Sequence, residues 1–295
     1  MGSIVNDMLM IGPPGSGKTM LARRLPGLMP ELTLDEALDV TRVHSISGLL
    51  PPGQGLVRIR PFRSPHHNVS PVGLIGGGSI PRPGDVSLAH HGVLFLDELP
   101  EFSRNVLETL RQPLEDGHLT ISRGGGRLRF PSRTMLVAAM NPCPCGYLGH
   151  PSRRCVDNVD AVHRYRSRIS GPLLDRIDIH LEVPAQKPEL LSAHGGGETT
   201  PHARERVARA RNRMIARQGT ANAALEHRAL TRHLQAADEA LTLLRQAVDE
   251  LGLSARAYDR ILKVARTIAD LDAREGVSID DVSEAIGYRV LDRAG

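Results

Sequence analysis

Apolar residues gather in short blocks along the first two thirds of the chain and spread into helical stripes along the last third. Met8–Ile11 is an apolar run that stops at Gly-Pro-Pro-Gly and predicts a strand, and Lys18 to about Leu25 predicts a helix. Residues 26–92 hold many prolines and glycines, among them Pro51-Pro52-Gly53 and Gly76-Gly77-Gly78, and predict loops and insertions rather than long elements. Val93–Leu96 is a bounded apolar run, the pattern of a fully buried strand. Ser103–Leu114 predicts one helix, with Ser103 as its N-cap and Val106, Leu107, Leu110 and Leu114 on one face. Leu119–Phe130 predicts a hairpin around Gly124-Gly125-Gly126, Thr134–Met140 a second buried strand, and Ile177–Val183 an alternating one.

Strands this uniformly apolar, separated by helical segments, belong in a parallel sheet covered on both faces. The fold class expected is therefore α/β, a three-layer αβα domain. The pattern changes near residue 185: Pro184 through Pro201, with Gly195-Gly196-Gly197, predicts a linker. Beyond it come helical stretches at about 202–218, 225–230, 236–251, 254–271 and 278–292, with Leu241, Leu244, Val248 and Leu251 at helical spacing. The expected organisation is a nucleotide domain over 1–184, a linker over 185–201 and a small all-helical domain over 202–295.

Composition narrows the classes. The 295 residues are 40% hydrophobic and 24% charged, enough apolar material to bury a core. No apolar run approaches the ~18 residues of a spanning helix, and the N-terminus has neither a basic region nor an apolar core of a secretory signal. Three cysteines give no disulfide framework, so a cytoplasmic protein without membrane contact is expected. Arginines outnumber lysines 34 to 3, and aromatics make up only 3%. Stacking of bases on an aromatic platform is poorly provided for, while a net charge of +4 permits an acidic polymer as partner.

The strongest chemical signal is Gly12-Pro13-Pro14-Gly15-Ser16-Gly17-Lys18-Thr19, a full match to G-x-x-x-x-G-K-[ST] between a strand and a helix. Glycines there let backbone N–H groups turn inward around phosphate oxygens, and the helix N-terminus adds partial positive charge. Lys18 would reach the β- and γ-phosphates and Thr19 would offer its hydroxyl to Mg²⁺, which makes ATP and Mg²⁺ the expected ligands. Val93-Leu94-Phe95-Leu96-Asp97-Glu98 complements it, with two carboxylates leaving a buried strand at its C-terminal end, where ligands bind in open α/β sheets. Asp97 would hold the Mg²⁺ shell and Glu98 would polarise the attacking water. Asn141, at the end of Thr134–Met140, stands where a polar residue would orient that water, or where a turn begins before Pro142.

With these motifs placed, the chain resembles the magnesium-chelatase-like AAA+ ATPases of the YifB/ComM competence-protein branch. The resemblance covers nearly the whole length. Its most specific stretches are Pro61–His67, Gly77–Asp85, Ser87–Gly92, Leu110–Gly117 with Thr120–Arg123, Met140–Tyr147, Ser170–Ile179 and Leu253–Tyr258. It implies an ATP-driven homo-oligomeric ring, usually a hexamer, with sites between subunits. It implies Asn141 as the sensor beside the γ-phosphate, Arg176 as the finger reaching a neighbour's ATP, and Arg256 as a second sensor on the helical lid. A guanidinium suits phosphoryl oxygens that gain charge in the transition state. Family members carry a Lon-protease-like domain and further AAA+ sequence before the phosphate loop. Either this chain is therefore a fragment or a truncated product, or its nucleotide affinity and stability are expected to be compromised.

The family's competence branch is implicated in branch migration on DNA during natural transformation, and some residues here allow a DNA contact. In the hairpin, Leu128 and Phe130 alternate with Arg127 and Arg129, so one face would pack while the other presents guanidiniums, with Arg123 facing them across the glycines. On helix 202–218, Arg206, Arg209, Arg213 and Arg217 form a stripe opposite Ala203, Val207, Ala210 and Met214, favoured as a solvated face. Cys143-Pro144-Cys145-Gly146 followed by Cys155 has the character of a zinc loop, although Asp157 stands where the family pattern has a further cysteine. Asp157, His150 or His163 would complete a Zn²⁺ site; a metal-free loop is the alternative. The pairs His66-His67 and His90-His91 are taken as structural or inter-subunit contacts, since adjacent side chains in a loop or strand point apart. Three functions remain open on sequence: an ATPase motor on DNA, a chelatase-type ATPase remodelling a protein, and a non-hydrolysing nucleotide-binding remnant.

Overall fold

A computed structural model describes residues 7–53, 55–123, 126–185, 197–289 and 291. Its strands are β1 (Met8–Ile11), β2 (Phe62–Arg63), β3 (Gly76–Gly77), β4 (Arg82–Pro83), β5 (Val93–Leu96), β6 (His118–Arg123), β7 (Gly126–Pro131), β8 (Met135–Met140) and β9 (Ile179–Glu182). Five of them form one sheet in the order β2-β5-β8-β1-β9, with β2, β5 and β8 paired in parallel. All four residues of β5 are fully buried and none of the six in β8 is more than 1% exposed, which is why both read as unbroken apolar runs. Because β5 and β8 run in parallel with Leu96 beside Ala138, their carboxyl ends open on the same edge. Gly12 N–H donates to Met140 O at 3.2 Å and brings the end of β1 to that edge as well.

The chain divides into two units. One is Leu9–Leu174 with the segment that begins at Glu182; the other joins Met8 and Asp175–Leu181 to the chain from Gly197. The sequence boundary near 185 thus misses a short return of the chain, in which Asp175–Leu181 groups with the helices. Most of the expected linker, 186–196, lies outside the described residues, and the helix expected from 202 already runs over Thr200–Gln218, with Pro201 in its first turn. Proline there sacrifices no helical hydrogen bond.

Two further expectations change in the first unit. Residues 26–92 do contain a long element, helix Leu34–Ile46, which buries Ala37, Val40 and Val43. Thr33 Oγ1 accepts from Glu36 N–H at 3.2 Å while Glu36 Oε2 accepts from Thr33 N–H at 3.1 Å, a capping box that Thr33-Leu34-Asp35-Glu36 carries in its sequence. The single helix expected over Ser103–Leu114 is two, Arg104–Thr109 and Arg111–Asp116. Ser103 caps the first as expected. Pro113 breaks the continuation, because it has no N–H to donate to Thr109 O and its ring crowds that carbonyl.

In the helical unit, helices His227–His233, Asp238–Leu251, Ala255–Leu271 and Ile279–Gly287 enclose a core that includes Leu230, Leu244, Ile261, Ala265 and Val282. Leu241, Val248 and Leu251 pack against that core. The arginine stripe on Thr200–Gln218 is not one solvated face. Arg206 and Arg209 make exposed ion pairs with Glu198 and Glu205. Arg213 and Arg217 instead turn to the helix Ala255–Leu271: Arg213 donates to Asp270 O, and Arg217 grips the Asp270 carboxylate at 2.6 and 2.8 Å. Asp270 is fully buried, with Arg266 and Asn222 as its other donors, and a buried carboxylate needs such a shell. Among the described residues no helix is long and apolar enough to cross a membrane.

Candidate functional site

The sheet edge places the candidate catalytic side chains in the first unit. After β1 the chain turns through Gly12–Gly17, with Gly15 at φ +76 and Gly17 at φ +91, backbone conformations that an L side chain strains. A Cβ on Gly12 would lie 2.1 Å from Val183 O, so that position also requires glycine for close approach of two strands. The helix Lys18–Leu28 follows, and no side chain caps its N-terminus. Its first N–H groups therefore present their charge to the loop opening, the arrangement that receives phosphate.

Lys18 is folded back into the loop, where its Nζ donates to Gly12 O at 2.6 Å and Pro13 O at 3.0 Å. Ser16 Oγ and Asn141 Oδ1 each lie 3.5 Å from it. Burial holds the Lys18 ammonium below its ordinary pKa, and the Asp97 carboxylate opposes that shift. Burial penalises the charged form, so a polyanion entering the loop would be a welcome counter-charge. Thr19 Oγ1 donates to Asp97 Oδ2 at 2.8 Å, which sets the two oxygens expected at Mg²⁺ side by side. These donors fit the ligands expected from sequence: glycine N–H groups and an ammonium for phosphate oxygens, and a hydroxyl and a carboxylate for a hard divalent cation.

Asp97 and Glu98 leave β5 by a sharp change of direction. Glu98 has φ 54 and ψ 48, a left-handed conformation rare for a residue with a side chain, and its N–H is held by Asp97 Oδ1 at 3.0 Å. Such outliers cluster where a side chain must be aimed. Glu98 Oε2 lies 3.3 Å from His67 Nδ1. From sequence His67 was expected as a structural or inter-subunit contact, and nothing in the spacing of residues 67 and 98 signals this pairing.

The two histidine pairs also correct the expectation that neighbouring side chains point apart. The ring centroids are 4.1 Å apart in His66-His67 and 3.9 Å in His90-His91. His67 sits in a turn and His91 has φ 56, so the alternation of extended backbone does not apply. His90, His91 and Asp39 place ligand-type atoms within 4.8 Å of one another. Burial and the neighbouring His91 and Arg133 charges push the His90 imidazole down to about 3, and its Nδ1 accepts from Arg133 N–H at 3.0 Å.

Asn141, at the end of β8, is thus brought to Lys18, and its segment is pinned from behind by Arg166, which donates to Pro142 O at 3.2–3.3 Å. Cys143, Cys145, Cys155 and Asp157 converge with ligand atoms within 4.8 Å of one another; His150 and His163 are not part of that cluster. The hairpin of β6 and β7 pairs Leu119 with Phe130, Ile121 with Leu128, Ser122 with Arg127, and Arg123 with Gly126. Its apolar face is buried at the base by Leu119 and Phe130 and half-buried at Ile121, while Leu128 is 47% exposed, looser than the expected packing. Arg127 and Arg129 are exposed, and Arg129 Nη2 lies 3.0 Å from His118 Nδ1. The side chain of Arg123 lies outside the described residues. Arg176 and Arg256 belong to the helical unit. Arg176 is 9% exposed and its carbonyl accepts from Arg260, whereas Arg256 is exposed in the first turn of Ala255–Leu271.

Comparisons with known proteins match nearly the whole chain. The chain is 46% identical over 295 residues to the competence protein ComM of Haemophilus influenzae, covering 98% of this chain and 56% of that protein. It is 45% identical over 289 residues to the uncharacterized protein YifB of Escherichia coli, with the same coverage of both. A magnesium-chelatase subunit ChlI homolog of Methanocaldococcus jannaschii is 21% identical over 309 residues, covering 96% of this chain and 76% of that protein. The chain thus spans little more than half the length of its ComM and YifB relatives. The family of magnesium chelatase, subunit ChlI, matches residues 4–191, and its C-terminal region matches residues 197–289. With both regions matched in order along the chain, it belongs to the magnesium chelatase subunit ChlI family, on the branch that includes YifB and ComM.

Proposed function

We propose that this chain binds ATP with Mg²⁺ and hydrolyses it as an AAA+ motor, working in a homo-oligomeric ring, a hexamer by family resemblance, in the cytoplasm. The observation that carries this reading is the convergence of Lys18, Thr19, Asp97, Glu98 and Asn141 at the carboxyl edge of β1, β5 and β8. Gly12–Gly17 would receive the phosphates, Lys18 would neutralise them, and Thr19 and Asp97 would hold Mg²⁺, which supplies charge stabilisation to the transferring phosphoryl group. Glu98 would take a proton from the attacking water, and Asn141 would orient that water. Arg176 and Arg256 would add positive charge from a neighbouring subunit and from the helical unit.

For the substrate we favour DNA, on the family resemblance and on the exposed Arg127 and Arg129 of the hairpin. With few aromatics, the grip would fall on the phosphate backbone and be strongly salt-dependent. Exposed Leu128 between the two arginines supports a second reading, a ring that remodels a protein partner. Binding to branched DNA over a salt series separates them. The double variant Arg127→Ala, Arg129→Ala should bind more weakly, with a log–log salt slope smaller by up to about two. Absent affinity at low salt, or affinity unchanged in the double variant, would reject the DNA reading of the hairpin. ATP turnover compared with Glu98→Gln tests the motor itself: turnover above that control rejects the non-hydrolysing remnant, and none above it supports the remnant.

A further inference from the structure

The loop that leaves β8 after Asn141 contains every cysteine of the chain. Cys143 Sγ lies 3.4 Å from Cys145 Sγ and 3.6 Å from Cys155 Sγ, and Cys145 and Cys155 are 3.6 Å apart. A disulfide would draw two sulfurs to about 2 Å and leave the third aside. Three nearly equal separations instead describe a triangle around a common centre. Tetrahedral zinc with Zn–S bonds of about 2.3 Å spaces its sulfurs by about 3.8 Å. Asp157 closes the fourth side: its Oδ2 lies 3.8 Å from Cys155 Sγ and accepts from Cys145 N–H at 2.8 Å. Leu148 N–H donates to Cys143 Sγ at 3.3 Å, the kind of outer contact that orients a metal-bound sulfur.

We propose that Cys143, Cys145, Cys155 and Asp157 form a closed structural zinc site that braces the phosphate loop. Three thiolates and one carboxylate suit a borderline-soft, four-coordinate cation, and the thiols release their protons to solvent as it binds. The brace is visible one residue beyond Cys145. Gly146 has φ +84 and packs so closely on Pro14 that a Cβ there would lie 2.7 Å from Pro14 Cδ. The metal would fix the loop that carries this contact and the segment from which Asn141 reaches Lys18. The site goes beyond the ATPase reading and does not depend on it.

The test measures metal on the purified chain without nucleotide. After growth with zinc and exhaustive dialysis, about one zinc per chain is expected by mass spectrometry. All three thiols should stay protected from a thiol reagent until the metal is chelated. Cobalt exchanged into the chain should show the intense red-region bands of a tetrahedral site with thiolate charge transfer. Cys155→Ser should lose the metal. Asp157→Cys should keep one metal and shift the cobalt bands toward a four-sulfur pattern. No bound zinc with three freely reacting thiols, or unchanged zinc content in Cys155→Ser, would overturn the proposal. If the serine variant does not fold, the cobalt spectrum and thiol protection of the unaltered chain decide the matter: an octahedral spectrum or open thiols refute it.

Discussion

Replacing Gly146 by alanine puts a methyl group 2.7 Å from Cδ and 2.9 Å from Cγ of Pro14, inside the phosphate loop. A proline ring cannot swing aside as a long side chain can, so either the phosphate loop or the cysteine loop has to move. The φ of +84 at Gly146 adds a backbone cost of about 1–2 kcal/mol for an L side chain. Overpacking of a tight contact adds about 1–3 kcal/mol, so Gly146→Ala should destabilise the first unit by about 2–5 kcal/mol. Gly149 in the same loop is the control, with φ +76 and nothing within 4 Å of its Cβ position. Gly149→Ala should therefore lose only the backbone share of about 1–2 kcal/mol. Denaturant unfolding of the two variants gives the difference, which isolates the contact with Pro14. Titration with a fluorescent ATP analogue shows where the strain goes: each ~1.4 kcal/mol that reaches the bound-state geometry weakens binding about tenfold. Equal stability losses in the two variants, with equal nucleotide affinities, would refute the claim that the cysteine loop supports the phosphate loop.

Other expectations follow from the same geometry. Arg217→Ala should destabilise the helical unit by about 2–4 kcal/mol, because it strips the main donor from a buried carboxylate, while Arg206→Ala should change unfolding by about 0.5 kcal/mol or less. Comparable effects in denaturant melts would contradict the inward turn of the stripe. His90 and His180 are both held down to about 3, chiefly by burial, so the fold keeps them neutral while the unfolded chain takes up protons below about pH 6.5. Their contribution is complete above that pH and is lost as pH falls toward about 3, amounting to about 2 kcal/mol for each by pH 5. Thermal melts should show this loss, reduced in His90→Gln and His180→Gln; an equal acid sensitivity in those variants would remove the two histidines as its source. His67→Ala should lower kcat by about fivefold at unchanged ATP affinity, since Glu98 loses the partner that positions it, whereas an unchanged kcat would make the contact incidental.

The candidate phosphate site was legible because its signals are local. A glycine-rich spacing, a four-residue buried run ending in Asp97-Glu98, and a strand ending at Asn141 each occupy a few consecutive positions, and a parallel sheet brings such ends to one edge. What stayed hidden depends on partners far along the chain. Arg213 and Arg217 look like Arg206 and Arg209 in a helical projection, and only Asp270, more than fifty positions on, separates them. His67 finds Glu98 across 31 residues. Leu128 alternates as a packing residue should, yet it stays 47% exposed. The helix Leu34–Ile46 is a different case. Its capping box was readable, but the many prolines and glycines around it outweighed that signal. The grouping of Asp175–Leu181 with the helices left no mark in composition, since apolar strand residues serve either unit.

Phosphate release from saturating ATP and Mg²⁺ by the purified chain, measured beside Glu98→Gln with nucleotide binding followed in parallel, tests the central claim most directly. Turnover is expected from the unaltered chain, and in Glu98→Gln a loss of about a hundredfold or more with ATP affinity retained. Turnover equal in the two proteins, or none from an unaltered chain that has bound ATP, would contradict it.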